Sequence, residues 1–176
     1  FPDLVRALRP LSQKPFHIHL MIDDKNLLQM INSFIDTGAD LISVHVENEN
    51  ALMPALKLLD DRGVAAGIAL QLKTPIARIE PLLDRVRAVI LLGTAIGVKG
   101  QDLSSKAPGR LREASKLLLA RKDNKNRLLI ADGGIRETTV PSLVRAGAQT
   151  VVMGSLAFGA SNLEERFVWL RDLKAK

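Results

Sequence analysis

Short apolar runs alternate with longer amphipathic stretches along this chain of 176 residues, and that alternation limits its fold more than any other feature. Six runs have the length and composition of buried strands: 16–22, 41–46, 64–70, 89–92, 128–131 and 150–153. A stretch with helical spacing follows each run, and one more helix, at 4–8, precedes the first. Strands that alternate with helices predict parallel βαβ units in an α/β fold.

Six strands are two fewer than a closed barrel contains. We predict a single domain, residues 1–176, folded as a (β/α)₈ TIM barrel whose first strand, first helix and second strand are absent. The alternative is an open doubly wound sheet, but its site residues would gather at one switch point, whereas here they end several strands. We expect about forty more residues upstream of Phe1, from the usual size of a barrel.

Composition excludes several partners and chemistries. The net charge is +6, but the basic residues are scattered and aromatic residues make up 3%, so nucleic acid is not an expected partner. No apolar run approaches the ~20 residues of a membrane span, so a membrane is not expected either. The absence of cysteine excludes disulfides and thiolate metal sites, and it is consistent with a cytoplasmic protein.

Two segments near the C-terminus predict a phosphate site. Ile130-Ala131-Asp132-Gly133-Gly134-Ile135 and Val151-Val152-Met153-Gly154-Ser155 are both apolar runs that lead into glycine. Glycine lets backbone N–H groups approach a ligand closely, and the last two βα units of a barrel often bind phosphate. Residues 93–101 form a third glycine-rich segment, which could cradle phosphate beside Lys99 or be an ordinary loop.

A histidine and an aspartate are the candidate metal ligands. His17 and His19 share one face of a predicted strand, and His19 is nearer the carboxyl end, where barrel sites form. Asp132 ends another strand and is also the candidate catalytic acid or base. Nitrogen and oxygen ligands suit a divalent metal such as Zn, Fe, Mn or Co. The alternatives are a hydrogen-bonded core histidine and a turn aspartate.

One further strand ends in a polar pair, His45 and Glu47. This histidine either lines the cavity or makes a structural hydrogen bond, and the sequence does not decide between the two. Catalysis by a Ser-His-Asp triad is not supported, because no nucleophile-elbow pattern occurs.

The chain resembles the ribulose-phosphate 3-epimerase family, which includes hexulose-phosphate relatives. The resemblance covers nearly the whole chain, and the matching segments occur in the family's order. They are His19-Leu20-Met21, Val44-His45-Val46-Glu47, Gly67-Ile68-Ala69-Leu70 with Thr74-Pro75, 97–101, Asp132-Gly133-Gly134-Ile135, Ala146-Gly147-Ala148, and Met153-Gly154-Ser155 with Phe158-Gly159. The resemblance implies a barrel that epimerises a ketose phosphate, ribulose 5-phosphate or a hexulose 6-phosphate, at C3.

The resemblance also implies roles for individual residues. In that family two His and two Asp hold a divalent metal, and the two Asp act as acid and base on opposite faces of the substrate through an enediolate. By this resemblance His19 and Asp132 are metal ligands, Asp132 is one acid/base group, and Met21 lies beside the reacting centre. The phosphate is expected at Gly97, Gly100, Gly133, Gly134, Gly154 and Ser155. The expected partners are the phosphorylated ketose and, in a homo-oligomer, further copies of the chain.

Two departures from the family keep a second hypothesis open. The family's first His and first Asp lie upstream of the matched region, and the loop reads Gly97-Val98-Lys99-Gly100 in place of Gly-Phe-Gly-Gly. The alternative is therefore a non-catalytic sugar-phosphate-binding relative. A phosphosugar lyase or decarboxylase on the same barrel is disfavoured, because the Asp-x-Lys-x-x-Asp array of such enzymes does not occur.

Overall fold

The computed structural model describes residues 1–97, 100–122 and 127–174. The strands in this part are β1 (His17–Leu20), β2 (Leu41–His45), β3 (Ala65–Leu70), β4 (Ala88–Leu92), β5 (Leu128–Asp132) and β6 (Thr150–Val151). The α-helices are α1 (Pro2–Leu8), α2 (Asp24–Ile35), α3 (Leu52–Asp61), α4 (Ala107–Leu119), α5 (Val140–Arg145), α6 (Gly154–Phe158) and α7 (Leu163–Lys174), and Arg9–Leu11 and Ile76–Arg85 are 3₁₀ helices. Within these described ranges, none of the helices combines the length and the apolarity that crossing a membrane requires.

The strand order in the sheet is β1-β2-β3-β4-β5-β6. Strand β2 runs parallel to both β1 and β3, and Leu41 of β2 lies opposite His17 of β1 and Ala65 of β3. Strand β5 runs parallel to β6, with Ile130 opposite Thr150. An order that follows the chain without reversal is the order of a barrel, whereas a doubly wound sheet reverses at its switch point. The predicted parallel α/β class is confirmed, and the doubly wound alternative is wrong.

The chain divides into two compact units, and the first comprises Phe1–Leu70 and Ala77–Ile90. Its central strand β2 is buried on both faces, with Ile42 and Val44 on one side and Ser43 and His45 on the other. Burial of both faces is typical of parallel sheets covered by helices. Polar side chains on β2 must therefore find partners inside the unit, because an unpaired buried polar group is costly.

Helix α2 shows how local sequence builds this unit. The carboxylate of Asp23 accepts a hydrogen bond from the backbone N–H of Asn26 at 3.1 Å, which caps the helix. The helix then buries Leu27, Ile31 and Phe34 at helical spacing. These three side chains determine which face of α2 is buried. Together with the cap at Asp23, they fix the position of the first turn of α2, shortly after the end of β1.

The second unit comprises Gln71–Ile76 and Leu91–Lys176. Its core contains apolar residues of α4, β5 and α5: Leu111, Ala114, Leu118, Leu129, Ile130, Val140 and Leu143. Arg110 on α4 donates to the carbonyl oxygens of Thr74 at 2.7 Å and Gln71 at 2.9 Å, which ties the segment after β3 to this core.

Three details differ from the prediction for local structure. The helix expected after Thr74-Pro75 is a 3₁₀ helix, Ile76–Arg85, and it contains Pro81, which cannot donate an N–H to a helical ladder. Helix α6 was not predicted, because five residues are too few to show helical spacing. A threonine directly before a helix commonly caps it, but the hydroxyl of Thr139, directly before α5, donates to the carbonyl of Gly134 at 2.7 Å and does not cap the helix.

Candidate functional site

Two polar pairs join β1 to β2 on one face of the sheet in the first unit. Nε2 of His17 lies 2.7 Å from Oγ of Ser43, and Nε2 of His19 lies 2.9 Å from Nε2 of His45. The rings of His19 and His45 stack with centroids 5.0 Å apart and planes inclined by 17°. His17 and His19 therefore share one face of β1, as the alternation predicts.

The proton positions in this cluster follow from Glu47. Nδ1 of His45 lies 3.0 Å from Oε2 of Glu47, and an ionised carboxylate can only accept, so Nδ1 carries a proton. In the neutral imidazole, Nε2 of His45 is then the acceptor and Nε2–H of His19 is the donor. His45 is almost fully buried and Glu47 is 23% exposed, so this short chain is largely shielded from water. The carboxylate of Glu47 orients His45, and His45 orients His19.

The loops that follow β1 and β2 are tied to each other. Nδ2 of Asn48 donates to the carbonyl of Ile22 at 2.9 Å, and Asn50 donates to Oδ2 of Asp24 through its backbone N at 3.2 Å and its Nδ2 at 3.1 Å. The Asn48 side chain foremost, and then Asn50, hold the pKa of the Asp24 carboxyl below its usual value. Met21 follows β1 directly and is half exposed. These hydrogen bonds therefore fix the two loops that follow the strands carrying His19 and His45.

In the second unit Asp132 is the last residue of β5. Its backbone carbonyl accepts from the N–H of Gly93 at 2.6 Å, which places the start of the glycine-rich segment beside the aspartate. A Cβ on Gly133 would collide with Thr94 Oγ1, and one on Gly134 would lie 2.7 Å from Cα of Leu103. Both glycines also have positive φ, +88° and +68°. This turn therefore packs on Thr94, at the start of the glycine-rich segment, and on Leu103, two residues beyond its end.

The glycine-rich segment is closed by a glutamine. We call residues 93–101 the glycine loop; its residues Val98 and Lys99 lie outside the described part, so the predicted role of Lys99 is not tested. The side-chain amide of Gln101 donates to the carbonyl of Ala95 at 3.0 Å and accepts from its N–H at 3.3 Å. Gly97 and Gly100 have φ of +84° and +74° with nothing near the Cβ position. Gln101 thus holds the two limbs of the loop together.

The last predicted phosphate residues follow β6. Gly154 and Ser155 begin α6 and are both exposed, and no atom lies within 4 Å of the Cβ position of Gly154. The six predicted phosphate residues therefore fall into two sets. Gly97, Gly100, Gly154 and Ser155 border open space, whereas Gly133 and Gly134 fill a tight contact.

The donor atoms of the candidate metal ligands suit a divalent cation. A metal-binding imidazole nitrogen must be unprotonated, and in a neutral His19 that donates its Nε2–H to His45 this nitrogen is Nδ1. His19 fits a nitrogen ligand and Asp132 an oxygen ligand. Across residues 1–97, 100–122 and 127–174, however, no three or more His, Cys, Asp or Glu side chains are grouped so as to hold a metal ion.

The second unit also contains an apolar groove of about 340 Å³ between α5, β6 and α7. Its walls include Val140, Val144, Phe167 and Leu170, and the charged residue among them is Arg171. Such walls offer few hydrogen-bond donors to a phosphorylated sugar, so this groove is not a candidate substrate site.

Sequence reasoning left two parts of the site unassigned. The role of His45 was open, and the signal that could have decided it is the His-x-Glu spacing at the end of β2. The part played by the Gln101 side chain was not anticipated, because a hydrogen bond that spans six residues of loop leaves no periodic trace in the sequence.

A parallel sheet in chain order, with polar residues at the carboxyl ends of its strands, defines the chain as an α/β barrel-type enzyme fold. Solved structures of similar fold support this class. A crystal structure of 3-hexulose-6-phosphate synthase matches with a TM-score of 0.70 and 18% identity, over 98% of this chain and 80% of that one. At that identity the likeness shows the fold alone.

Sequence comparison gives the family. The model of the ribulose-phosphate 3 epimerase family matches residues 2–158, and the chain belongs to that family. It is 32% identical to the ribulose-phosphate 3-epimerase of Bacillus subtilis, over 98% of this chain and 78% of that protein. It is 33% identical to the enzyme of the same name from Aquifex aeolicus, over 97% of this chain and 75% of that protein. The relatives named here are epimerases and therefore isomerases, as the resemblance implies.

Proposed function

We propose that this protein is a ketose-phosphate 3-epimerase that acts on ribulose 5-phosphate or a hexulose 6-phosphate. The observation that carries the proposal is the match of 98% of the chain to a ribulose-phosphate 3-epimerase, together with Asp132, which ends a strand inside the range 2–158 matched by the family model. Inversion at C3 requires removal of a proton next to a carbonyl and its return from the opposite face. A carboxylate fixed at a strand end suits one of those two steps.

In this proposal Asp132 moves a proton at C3 of the substrate. Gly97, Gly100, Gly133, Gly134, Gly154 and Ser155 hold the phosphate through backbone N–H groups and a hydroxyl. Met21 lies against the sugar carbon chain and helps exclude water, because its side chain is apolar and half exposed after β1. The second acid/base group is outside the residues assigned above.

We also propose that catalysis needs a divalent metal, with His19 and Asp132 among its ligands. When bound, such a cation would supply Lewis-acid stabilisation of the negative charge that develops on the substrate oxygens. The support is the nitrogen and oxygen donor pair and the Glu47–His45–His19 hydrogen-bond chain. Dialysis against a chelator should abolish turnover, and Zn, Fe, Mn and Co added singly should restore it to different extents.

The decisive experiment follows the C3 proton. Ribulose 5-phosphate and a hexulose 6-phosphate are incubated with the protein and each metal in D₂O, and deuterium at C3 is followed by NMR together with epimer formation. Exchange with epimer formation supports the proposal, and its absence with every ketose phosphate contradicts it.

A second candidate is a sugar-phosphate-binding relative without turnover. The observation that favours it is the altered loop sequence, Gly97-Val98-Lys99-Gly100 in place of Gly-Phe-Gly-Gly. It predicts binding of the same ketose phosphates by calorimetry with no deuterium at C3, so the same samples distinguish the two candidates.

Location and assembly complete the proposal. We place the protein in the cytoplasm as a homo-oligomer that acts on a free sugar phosphate. Light scattering on the purified protein measures the number of subunits, and a monomeric mass would remove the oligomer from the proposal.

A further inference from the structure

One guanidinium connects the Asp132 turn to the glycine loop. Nη2 of Arg136 lies 3.1 Å from the carbonyl oxygen of Gln101 and 3.4 Å from that of Gly100, and it lies 3.5 Å from Oδ1 of Asp102. These separations are at the long end of the hydrogen-bond range, and the charge on the donor strengthens such contacts relative to those of a neutral N–H. The contact joins the limb of the loop that returns to α4 with the segment that follows Asp132.

The backbone of Arg136 is itself fixed. Its N–H donates to Oγ1 of Thr139 at 2.9 Å, and its carbonyl accepts from the N–H groups of Thr139 and Val140 at 3.0 Å. Oγ1 of Thr139 also donates to the carbonyl of Gly134. The side chain of Arg136 therefore extends from a rigid turn, which is a requirement for a residue that positions another segment.

The two limbs of the loop are held by different contacts. The first limb is fixed beside Asp132, because the N–H of Gly93 donates to the carbonyl of Asp132 at 2.6 Å. Gln101 joins the two limbs to each other. Gly100, at the start of the second limb, has a positive φ, and glycine restricts the backbone less than any other residue. Arg136 supplies the second limb with a contact from outside the loop.

We infer that Arg136 is a positioning residue of the Gly100–Gln101 limb, and that it sets the affinity of the site for a phosphorylated substrate. This inference rests on the proposed function. Arg136 orders the Gly100 limb before the substrate arrives, so the free energy of binding is not reduced by the entropy lost in ordering that limb. Its loss therefore weakens binding of the phosphate group more than it slows the chemistry at Asp132.

The carbonyl contacts carry this role, and the ion pair with Asp102 does not. Asp102 is 97% exposed and Arg136 is 45% exposed, and a pair of that kind at 3.5 Å contributes little in water. The two substitutions Arg136→Met and Asp102→Asn separate the contacts, because the second keeps both carbonyl acceptors.

The test compares Arg136→Met, Arg136→Lys and Asp102→Asn with Arg145→Met, a matched control on the exposed side of α5. With ribulose 5-phosphate, Arg136→Met should raise KM about tenfold and change kcat less than threefold, as expected for loss of one charge-assisted anchor. Arg136→Lys should recover part of the affinity. Asp102→Asn and Arg145→Met should match the wild type.

A second readout does not depend on turnover. Amide hydrogen exchange in peptides that contain Gly100, Gln101 and Asp102 should become faster in Arg136→Met and stay unchanged in Arg145→Met. The dissociation constant for inorganic phosphate should rise in Arg136→Met by about the same factor as KM. Unchanged exchange in Arg136→Met, a fall in kcat with unchanged KM, or an equal effect of Asp102→Asn would each overturn the inference. If the wild type fails to turn over ketose phosphates, the proposed function fails, and the exchange and phosphate data still decide the role of Arg136.

Discussion

The Nε2 atoms of His19 and His45 lie 2.9 Å apart, so one imidazole donates to the other across the gap between β1 and β2. Only one proton can lie between two nitrogens at this distance. Because Glu47 accepts the Nδ1–H of His45, Nε2 of a neutral His45 is the acceptor and Nε2–H of His19 is the donor. The ring of His19 is thereby fixed in tautomer and orientation without any covalent constraint. The following predictions test this arrangement and the rest of the site.

Glu47→Gln should lower kcat about 10- to 100-fold, the usual cost of disturbing the outer partners of a ligating histidine, because Glu47 orients His45 and His45 contacts the proposed ligand His19. The amide can donate as well as accept, so it no longer requires the proton of His45 to be on Nδ1. Steady-state kinetics and the content of bound metal are the measurements. The matched control is Glu49→Gln, two residues on, which is 70% exposed and pairs with Arg78; it should stay within about twofold. Equal activity of both variants would contradict the orienting role of Glu47.

Asp132→Asn should lower kcat by about 10²- to 10⁴-fold, the range for loss of a general acid or base, and suppress deuterium exchange at C3. The amide is nearly the same size, and the backbone carbonyl that accepts from Gly93 is retained, so the fold should persist. Thermal unfolding checks the fold, and Asp172→Asn, on the exposed side of α7, controls for the loss of one negative charge. Exchange at the wild-type rate would exclude Asp132 as the acid/base group.

Gly134→Ala should destabilise the protein more than Gly63→Ala does. The two positions have nearly the same φ, +68° and +66°, so both substitutions carry the left-handed strain of about 1–2 kcal/mol. A Cβ at Gly63 meets nothing within 4 Å, whereas one at Gly134 would lie 2.7 Å from Cα and 2.8 Å from N of Leu103. We expect an additional loss of about 2 kcal/mol in the free energy of unfolding, measured with urea. Equal losses would mean that the turn and Leu103 separate without cost.

Asp24→Asn should reduce stability at pH 7 and have a smaller effect in acid. The pKa of the Asp24 carboxyl is below its usual value of 3.8 in the folded chain, so folding favours the ionised form. The stabilisation is therefore present at pH values above about 4 and is lost as the pH falls through the folded pKa. Urea midpoints of the wild type and the variant, measured from pH 7 down to pH 3, should converge. A constant difference across that range would contradict the hydrogen-bonded carboxylate, and Asp60→Asn on the exposed side of α3 is the control.

Much of the architecture could be predicted because it depends on local pattern. The period-two spacing of His17 and His19 places them on one face of a strand whatever the neighbouring strand is. The strand boundaries were predicted less closely: β1 spans His17–Leu20, where the apolar pattern covers 16–22, because the pattern continues into residues that leave the sheet. The 3₁₀ form of Ile76–Arg85 follows from Pro81, which acts against a pattern that otherwise favours an α-helix.

The contacts within the site depend on residues far apart in the chain. In the sequence, Gly133 and Gly134 resemble Gly97 and Gly100, since each pair belongs to a glycine-containing segment that comes after a predicted strand. The structure shows that the first two fill a contact with Thr94 and Leu103, whereas the other two border open space. No sequence pattern carries that distinction, because it depends on which segment lies opposite each glycine.

The sequence by itself determined the α/β class, the strand and helix series, the family, and Asp132 as the end of a strand that leads into paired glycines. Those properties follow from periodicity and from residue order, which are local. Only the tertiary structure decided that His45 and Glu47 orient His19, that Arg136 contacts the carbonyl oxygens of Gly100 and Gln101, and that two of the glycines are packing residues. The physical reason is that a hydrogen bond or a steric contact is set by distances between atoms, and folding alone brings residues 26 to 36 positions apart to within 3.5 Å.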